Sequence, residues 1–378
     1  MMRSNSNRTQ IVSKFINRTT LGLAAAFAVS AAIAKPAHAQ LGNVYTSTNA
    51  AGGNSVIRLH RAQNGRLTSG GTYPTGGKGT GASLASQGSV IVGPGAQYLY
   101  TVDAGSNDIA TFQIQPNGLK WVSNTSSGGI MPVSLTAHGK LVYVVNAGGE
   151  DNISGFRVLP NGTLQAIPNS NQLLSATGTG AAEIAFSATG SQLVVTEKGT
   201  GHIDVFPVDG NGVAGEAIVT NSVGVTPYGF AFDAGNHFLV SEAFGGATSA
   251  SAVSSYFVSN FGSLPITGSA LDDQTAACWV ATAGSYAWTA NAGSGSISAY
   301  FISPGGNLSL IPGTGVVASL GSNAKPTDMA IDASQQYLYV LEDGIGAVAG
   351  FHIEPNGTLI AIGVNSSLGA ALSGLAGY

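Results

Sequence analysis

The strongest constraint on this chain is an internal repeat of about 49 residues. A unit reading apolar strand, Asn or acid, Gly-rich turn, alternating strand, Asn-Gly and short strand occurs seven times. The copies run Val44-Tyr45-Thr46 to Asn64-Gly65, Tyr98-Leu99-Tyr100 to Asn117-Gly118, Leu141-Val142-Tyr143 to Asn161-Gly162, and Leu193-Val194-Val195 to Asn211-Gly212. They continue from Phe238-Leu239-Val240 to Phe261-Gly262, from Tyr286-Ala287-Trp288 to Gly305-Gly306, and from Tyr337-Leu338-Tyr339 to Asn356-Gly357. A unit of this size with several short strands is a propeller blade. The expected fold is therefore all-β, a seven-bladed β-propeller with four-stranded blades, and each Asn-Gly is expected to make a type I′ hairpin turn. No amphipathic helix follows residue 39, which removes helical solenoids. A membrane β-barrel would show ~10-residue strands without such a period.

The phase of the repeat predicts how the ring closes. The first unit lacks its innermost strand, whereas residues 368–378 are left over after the last unit. The tail is expected to supply the missing strand and to hide two sheet edges that would otherwise invite association.

Composition then separates the N-terminus from the repeats. Arg3, Arg8, Lys14, Arg18 and Lys35 all precede residue 40, and all 18 acidic residues follow it. A basic stretch, an apolar run from Leu21 to Ala34 and Ala37-His38-Ala39 read as a secretory signal peptide, residues 1–39, with cleavage before Gln40. Residues 40–378 are expected to form one domain, exported to the periplasm or the extracellular space as a monomer, with no membrane span once the signal is removed. That portion carries 9 cations (14 less 5) against 18 acids, a formal charge of −9. Nucleic acid is an unsuitable partner for such a surface; a small-molecule substrate or ligand is expected instead. Cys278 is the only cysteine, so no intramolecular disulfide forms, and its neighbours Ala277 and Trp279 mark it as a buried small hydrophobe.

In a propeller the ends of the second strands and the segments leading into the innermost strands share one face around the channel, where sites converge. The second strands end at Asn49, Asp103, Asn146, Glu197, Glu242, Asn291 and Glu342, four carboxylates and three amides. Asn and Asp cap Gly-rich turns, oxygens of this kind hold Ca²⁺ or Mg²⁺, and close carboxylates raise one another's pKa for acid–base work; all three readings stand. No cofactor is required by the sequence. Glu183 and Asp328, in segments leading into innermost strands, are expected to point into the same mouth, with Tyr228 and Trp279 as an aromatic wall and Lys198 as its cation. The histidines fall away from the channel, so no Ser-His-acid arrangement is expected at the mouth.

The units Tyr143-Val144-Val145-Asn146-Ala147-Gly148, Ile153-Ser154-Gly155-Phe156 and Pro160-Asn161-Gly162-Thr163-Leu164, with Asn291-Ala292-Gly293-Ser294-Gly295-Ser296-Ile297-Ser298, resemble the seven-bladed lactonase family. That family contains 6-phosphogluconolactonase-type hydrolases and carboxymuconate-lactonising enzymes. The resemblance implies opening or isomerisation of a lactone or related ester at the channel mouth. Active members carry a Gly-Pro-Arg-His type segment, matched here by Gly180-Ala181-Ala182-Glu183, and a His-bearing segment, matched by Ala85-Ser86-Gln87-Gly88-Ser89. Arg and His are missing from both, which points away from phosphorylated lactones and leaves Glu183, with Glu197 as the rim alternative, to act as general base. A non-catalytic propeller binding a ligand or protein at the same mouth is the competing reading.

Overall fold

The computed structural model describes residues 42–378; the signal-peptide reading of 1–39 lies outside them. Seven antiparallel sheets follow one another in chain order, as the repeat requires. From the channel outward, blade 1 is Ser373–Gly377, Asn43–Ser47, Ser55–Arg61 and Leu67–Pro74. Blade 2 is Val90–Val92, Tyr98–Asp103, Asp108–Gln115 and Gly118–Ser126, and blade 4 is Ala181–Phe186, Gln192–Glu197, His202–Pro207 and Ile218–Asn221. Blades 3, 5, 6 and 7 begin at the channel with Ile130–His138, Pro227–Phe232, Ala277–Ala283 and Pro326–Ile331. In blades 3 and 6 the outer strand is split in two, and both pieces pair with the third strand.

The C-terminal tail closes the ring. Val44, Tyr45 and Thr46 pair with Gly377, Ala376 and Leu375. Asn43 locks the joint: its side chain donates to the Tyr378 hydroxyl at 2.8 Å and accepts from Nε of Arg58 at 2.7 Å. Arg58 is itself buried, with its other hydrogen bond to the Pro116 carbonyl of blade 2.

Second strands carry mostly apolar residues because both faces of a blade are covered by neighbouring blades. Val142 to Val145 and Leu338 to Leu341 are wholly buried. Blades are also stitched by polar caps: the Tyr143 hydroxyl, the Trp288 indole N–H and the Tyr339 hydroxyl donate to the carbonyls of Gly212, Gly357 and Gly65, each in the hairpin of the next blade. Those hairpins differ from the expected type I′ turn. Gly212 alone has positive φ (80°), Asn211 does not, and the Gly212 N–H bonds the Asp209 carbonyl. Such a loop is a type I turn finished by a left-handed glycine, and the Asp209 carboxylate fixes it by accepting from the N–H groups of Asn211 and Val213.

Candidate active site

The seven residues read as ending second strands are all buried, although the strand stops at Ser47, short of Asn49, in blade 1 and runs past Asn146 to Gly148 in blade 3; most of the seven bond into the crossover between blades. Asp103 accepts from Asn54 and Thr75 of blade 1 at 2.9 and 2.8 Å. Glu242 accepts from the Gly224 N–H at 2.9 Å, from Ser269 at 2.6 Å and from Ser254. Glu197 accepts from the backbone and hydroxyl of Ser175 and from Thr200. Asn49 donates to Thr80, Asn146 to the Ser127 carbonyl, and Asn291 to Ser296 and Ser298. Glu342 is the exception, with no side-chain hydrogen bond among the described residues. Burial pushes Asp103 up to about 6, opposed by its bonds from Asn54 and Thr75. Among the described residues no group of three or more His, Cys, Asp or Glu is placed to hold a metal ion.

Glu183 and Asp328 sit differently. In blades 4 and 7, as in blades 3, 5 and 6, the innermost strand slips register, here between Ala181 and Glu183 and between Pro326 and Asp328, and in these two blades the residue after the slip is a carboxylic acid. A slip of this kind re-aims the side chain that follows it. Both carboxylates line a cavity of about 360 Å³ in the central channel, together with Gln87, Ile91, Thr136 and Ala330. Asp328 is held by three backbone N–H groups, those of Met329 (2.7 Å), Leu375 (3.0 Å) and Gly88 (3.4 Å). Glu183 receives one, from Phe230 at 2.6 Å on Oε2. Desolvation raises both carboxyls: Asp328 to about 7, restrained by its three donors, and Glu183 well above the carboxylate range, where the charge on Asp328 adds to the rise.

The segment from Ala85 to Gly88, ahead of blade 2, lies across the mouth. Ser86 Oγ donates to the Val133 carbonyl of blade 3 at 2.8 Å, and the Gln87 N–H donates to the Ala182 carbonyl of blade 4 at 3.0 Å. The Gln87 carboxamide reaches blade 6, giving a hydrogen to the Val280 carbonyl (2.8 Å) and taking one from the Val280 N–H (3.1 Å). Gly229 of blade 5 makes room for it, since a Cβ there would stand 2.1 Å from Gln87 Oε1. Lys198, Tyr228 and Trp279 gather at this strap. Lys198 Nζ donates to the carbonyls of Ala85 (2.7 Å) and Ala181 (3.1 Å) and lies 4.8 Å from the Tyr228 ring centre. Trp279 packs edge-on to Tyr228 at 5.1 Å and donates its indole N–H to the Ser86 carbonyl at 3.0 Å. Burial lowers Lys198 to about 8 and raises the neighbouring buried Cys278 thiol to about 12, so Cys278 is an inert core residue.

Comparison with known proteins bears on what such a channel is. Residues 52–173 match the family model of the lactonases with a seven-bladed β-propeller. The match spans blade 1 to blade 3, and the remaining blades repeat the same architecture. A periplasmic gluconolactonase from Pseudomonas aeruginosa superposes with a TM-score of 0.65 at 15% identity, covering 88% of this chain and 98% of that one. A protein from Bacteroides uniformis assigned as a 6-phosphogluconolactonase superposes with a TM-score of 0.69 at 14% identity, covering 90% of this chain and 100% of that one. At these identities the likeness is one of fold. No curated protein matches the sequence. The resemblance drawn from the repeat units is thus shown, for a lactonase-like propeller.

One cluster escaped the sequence reading. At the crossover from blade 3 to blade 4, Ser175 Oγ donates to Glu197 and lies 3.1 Å from His202 Nδ1, while its N–H bonds both Glu197 Oε1 and Asp204 Oδ2. Burial, then the hydrogen bond and charge of Glu197, push Asp204 up to about 8. The serine proton goes to the carboxylate directly rather than through the imidazole, so the order of a catalytic triad is absent. Ser175 lies 22 residues before Glu197 and 27 before His202, in the variable crossover, where the repeat gives no register to align.

Proposed function

We propose that the chain is a lactonase-like hydrolase that opens a small, uncharged lactone or related ester in its central channel, with Glu183 as general base. The carrying observation is the pair of buried carboxyls, Glu183 and Asp328, lining one cavity on a propeller whose first three blades match the lactonase family. Ionised Glu183 would take a proton from water as its oxygen attacks the lactone carbonyl, then return that proton to the ring oxygen as the acyl–oxygen bond breaks. The products are one hydroxyl and one carboxyl on the same molecule. A base with a raised pKa is stronger; burial is the main cause of the rise at Glu183, and the charge on Asp328 adds to it. An acidic cavity suits an uncharged substrate better than a phosphorylated one.

The remaining rim residues, among them Glu197 and Glu242, would then serve the crossovers that shape the channel. Initial rates on aldonolactones and aliphatic γ- and δ-lactones between pH 7 and 9.5, corrected for spontaneous hydrolysis, test the proposal. Turnover unaffected by EDTA is expected; no turnover of any lactone refutes it, and loss with EDTA would favour a Ca²⁺- or Mg²⁺-assisted form. A non-catalytic binding propeller has one observation in its favour, the strap that fills the mouth. Export follows from residues 1–39; the N-terminus of the secreted chain should read Gln40.

A further inference from the structure

Three hydrogen-bond donors on two walls of the mouth, Lys198 at blade 4 and the adjacent Trp279 and Val280 of blade 6, converge on three consecutive residues of the strap. Lys198 Nζ takes the Ala85 carbonyl, Trp279 Nε1 the Ser86 carbonyl, and the Val280 N–H the Gln87 side-chain oxygen. We infer that these donors form a subsite for a small hydroxycarboxylate, and that the strap occupies it as an internal stand-in for that ligand.

Each wall fits such a molecule better than it fits the strap. Lys198 makes no ion pair with any described residue; its partners are two neutral carbonyls and the face of the Tyr228 ring. A carboxylate would supply charge as well as acceptor atoms, and a charge-assisted hydrogen bond is roughly twice as strong as a neutral one. Tyr228 and Trp279, packed edge-on to each other, offer an angled apolar corner for the carbon skeleton. The strap itself is held at a cost, because Ala85 sits at φ 50°, in the left-handed region where a side chain is strained. Lifting it would join the subsite to the cavity holding Glu183, since Gln87 lines that cavity from above. The ligand class rests on the hydrolase reading, for which a hydroxycarboxylate is the product; the donor geometry does not.

The test is calorimetric titration of the protein from Gln40 onward with sodium D-gluconate at pH 7, with sorbitol as the uncharged control. Gln87→Ala, and Gln87→Leu of similar size, release the strap from Val280 and should tighten gluconate binding at least tenfold over the parent. Lys198→Met added to either should abolish it, with melting temperatures confirming that each variant is folded. Equal affinity in parent and Gln87 variants, binding that survives Lys198→Met, equal binding of sorbitol, or no binding at all would each overturn the inference. Lactone turnover is scored separately. Turnover without gluconate binding refutes the subsite and leaves the hydrolase; gluconate binding without turnover upholds the subsite and counts against the hydrolase.

Discussion

Glu242 and Glu183 are both buried carboxyls on the channel half of their blades, yet they answer to different demands. Glu242 ends a second strand and is enclosed by donors from Gly224, Ser254 and Ser269. Glu183 follows a register slip on an innermost strand, keeps a single donor, and lines an open cavity. The first is a fastening, its oxygens spent on the crossover at Gly224 and on two serines of its own blade. The second is held in place by strand geometry while its acid–base capacity remains available. Burial alone therefore does not mark function in this protein; what distinguishes the two is how many hydrogen bonds the carboxyl already accepts.

The contrast can be broken at either end. Glu183→Gln should lower lactone turnover by ~10²–10⁴-fold, with a melting temperature close to that of the parent. Glu242→Ala should do the reverse, destabilising the fold by about 2–4 kcal/mol in urea unfolding because three buried donors lose their acceptor. Stability should also respond to pH in an unusual direction. Asp103, Asp204 and Asp328 have folded values of about 6, 8 and 7 against an ordinary 3.8. Between those limits the unfolded chain has lost protons that the folded chain retains. From these three groups the melting temperature should thus be highest below about pH 4, fall most steeply between about pH 4 and 6 where all three contribute, and level off by about pH 8. Asp328→Asn should flatten part of that fall and shift the alkaline rise in turnover to lower pH, by removing the charge that opposes ionisation of Glu183. Glu342→Gln should have the smallest effect, since no hydrogen bond is lost, and it should not lower the melting temperature at pH 8, because it removes a carboxyl that burial disfavours in its charged form.

The fold was legible because it is periodic. Seven copies of one pattern fix the blade, and a missing first strand matched by a surplus last one fixes the closure at Val44 to Thr46 and Leu375 to Gly377. The hairpin type was misread because Asn-Gly is also compatible with a type I turn when an acid such as Asp209 stands two residues earlier to cap it. For the site, the repeat located Glu183, Asp328, Lys198, Tyr228 and Trp279 by face, since strand direction alone determines which ends of the strands share the mouth. It could not say which oxygens were already engaged. The donors to Glu197 and Asp103 come from crossovers and neighbouring blades, whose registers no single unit contains. The strap was invisible for the same reason: Gln87 finds its partner 193 residues away, across the channel.

The most direct test compares Glu183→Gln with Glu197→Gln, both at the mouth half of blade 4, for turnover of one uncharged lactone by equal amounts of folded protein. The channel account predicts that Glu183→Gln loses nearly all activity while folded Glu197→Gln keeps most of it. Full activity in Glu183→Gln, or equal losses in both, would contradict it.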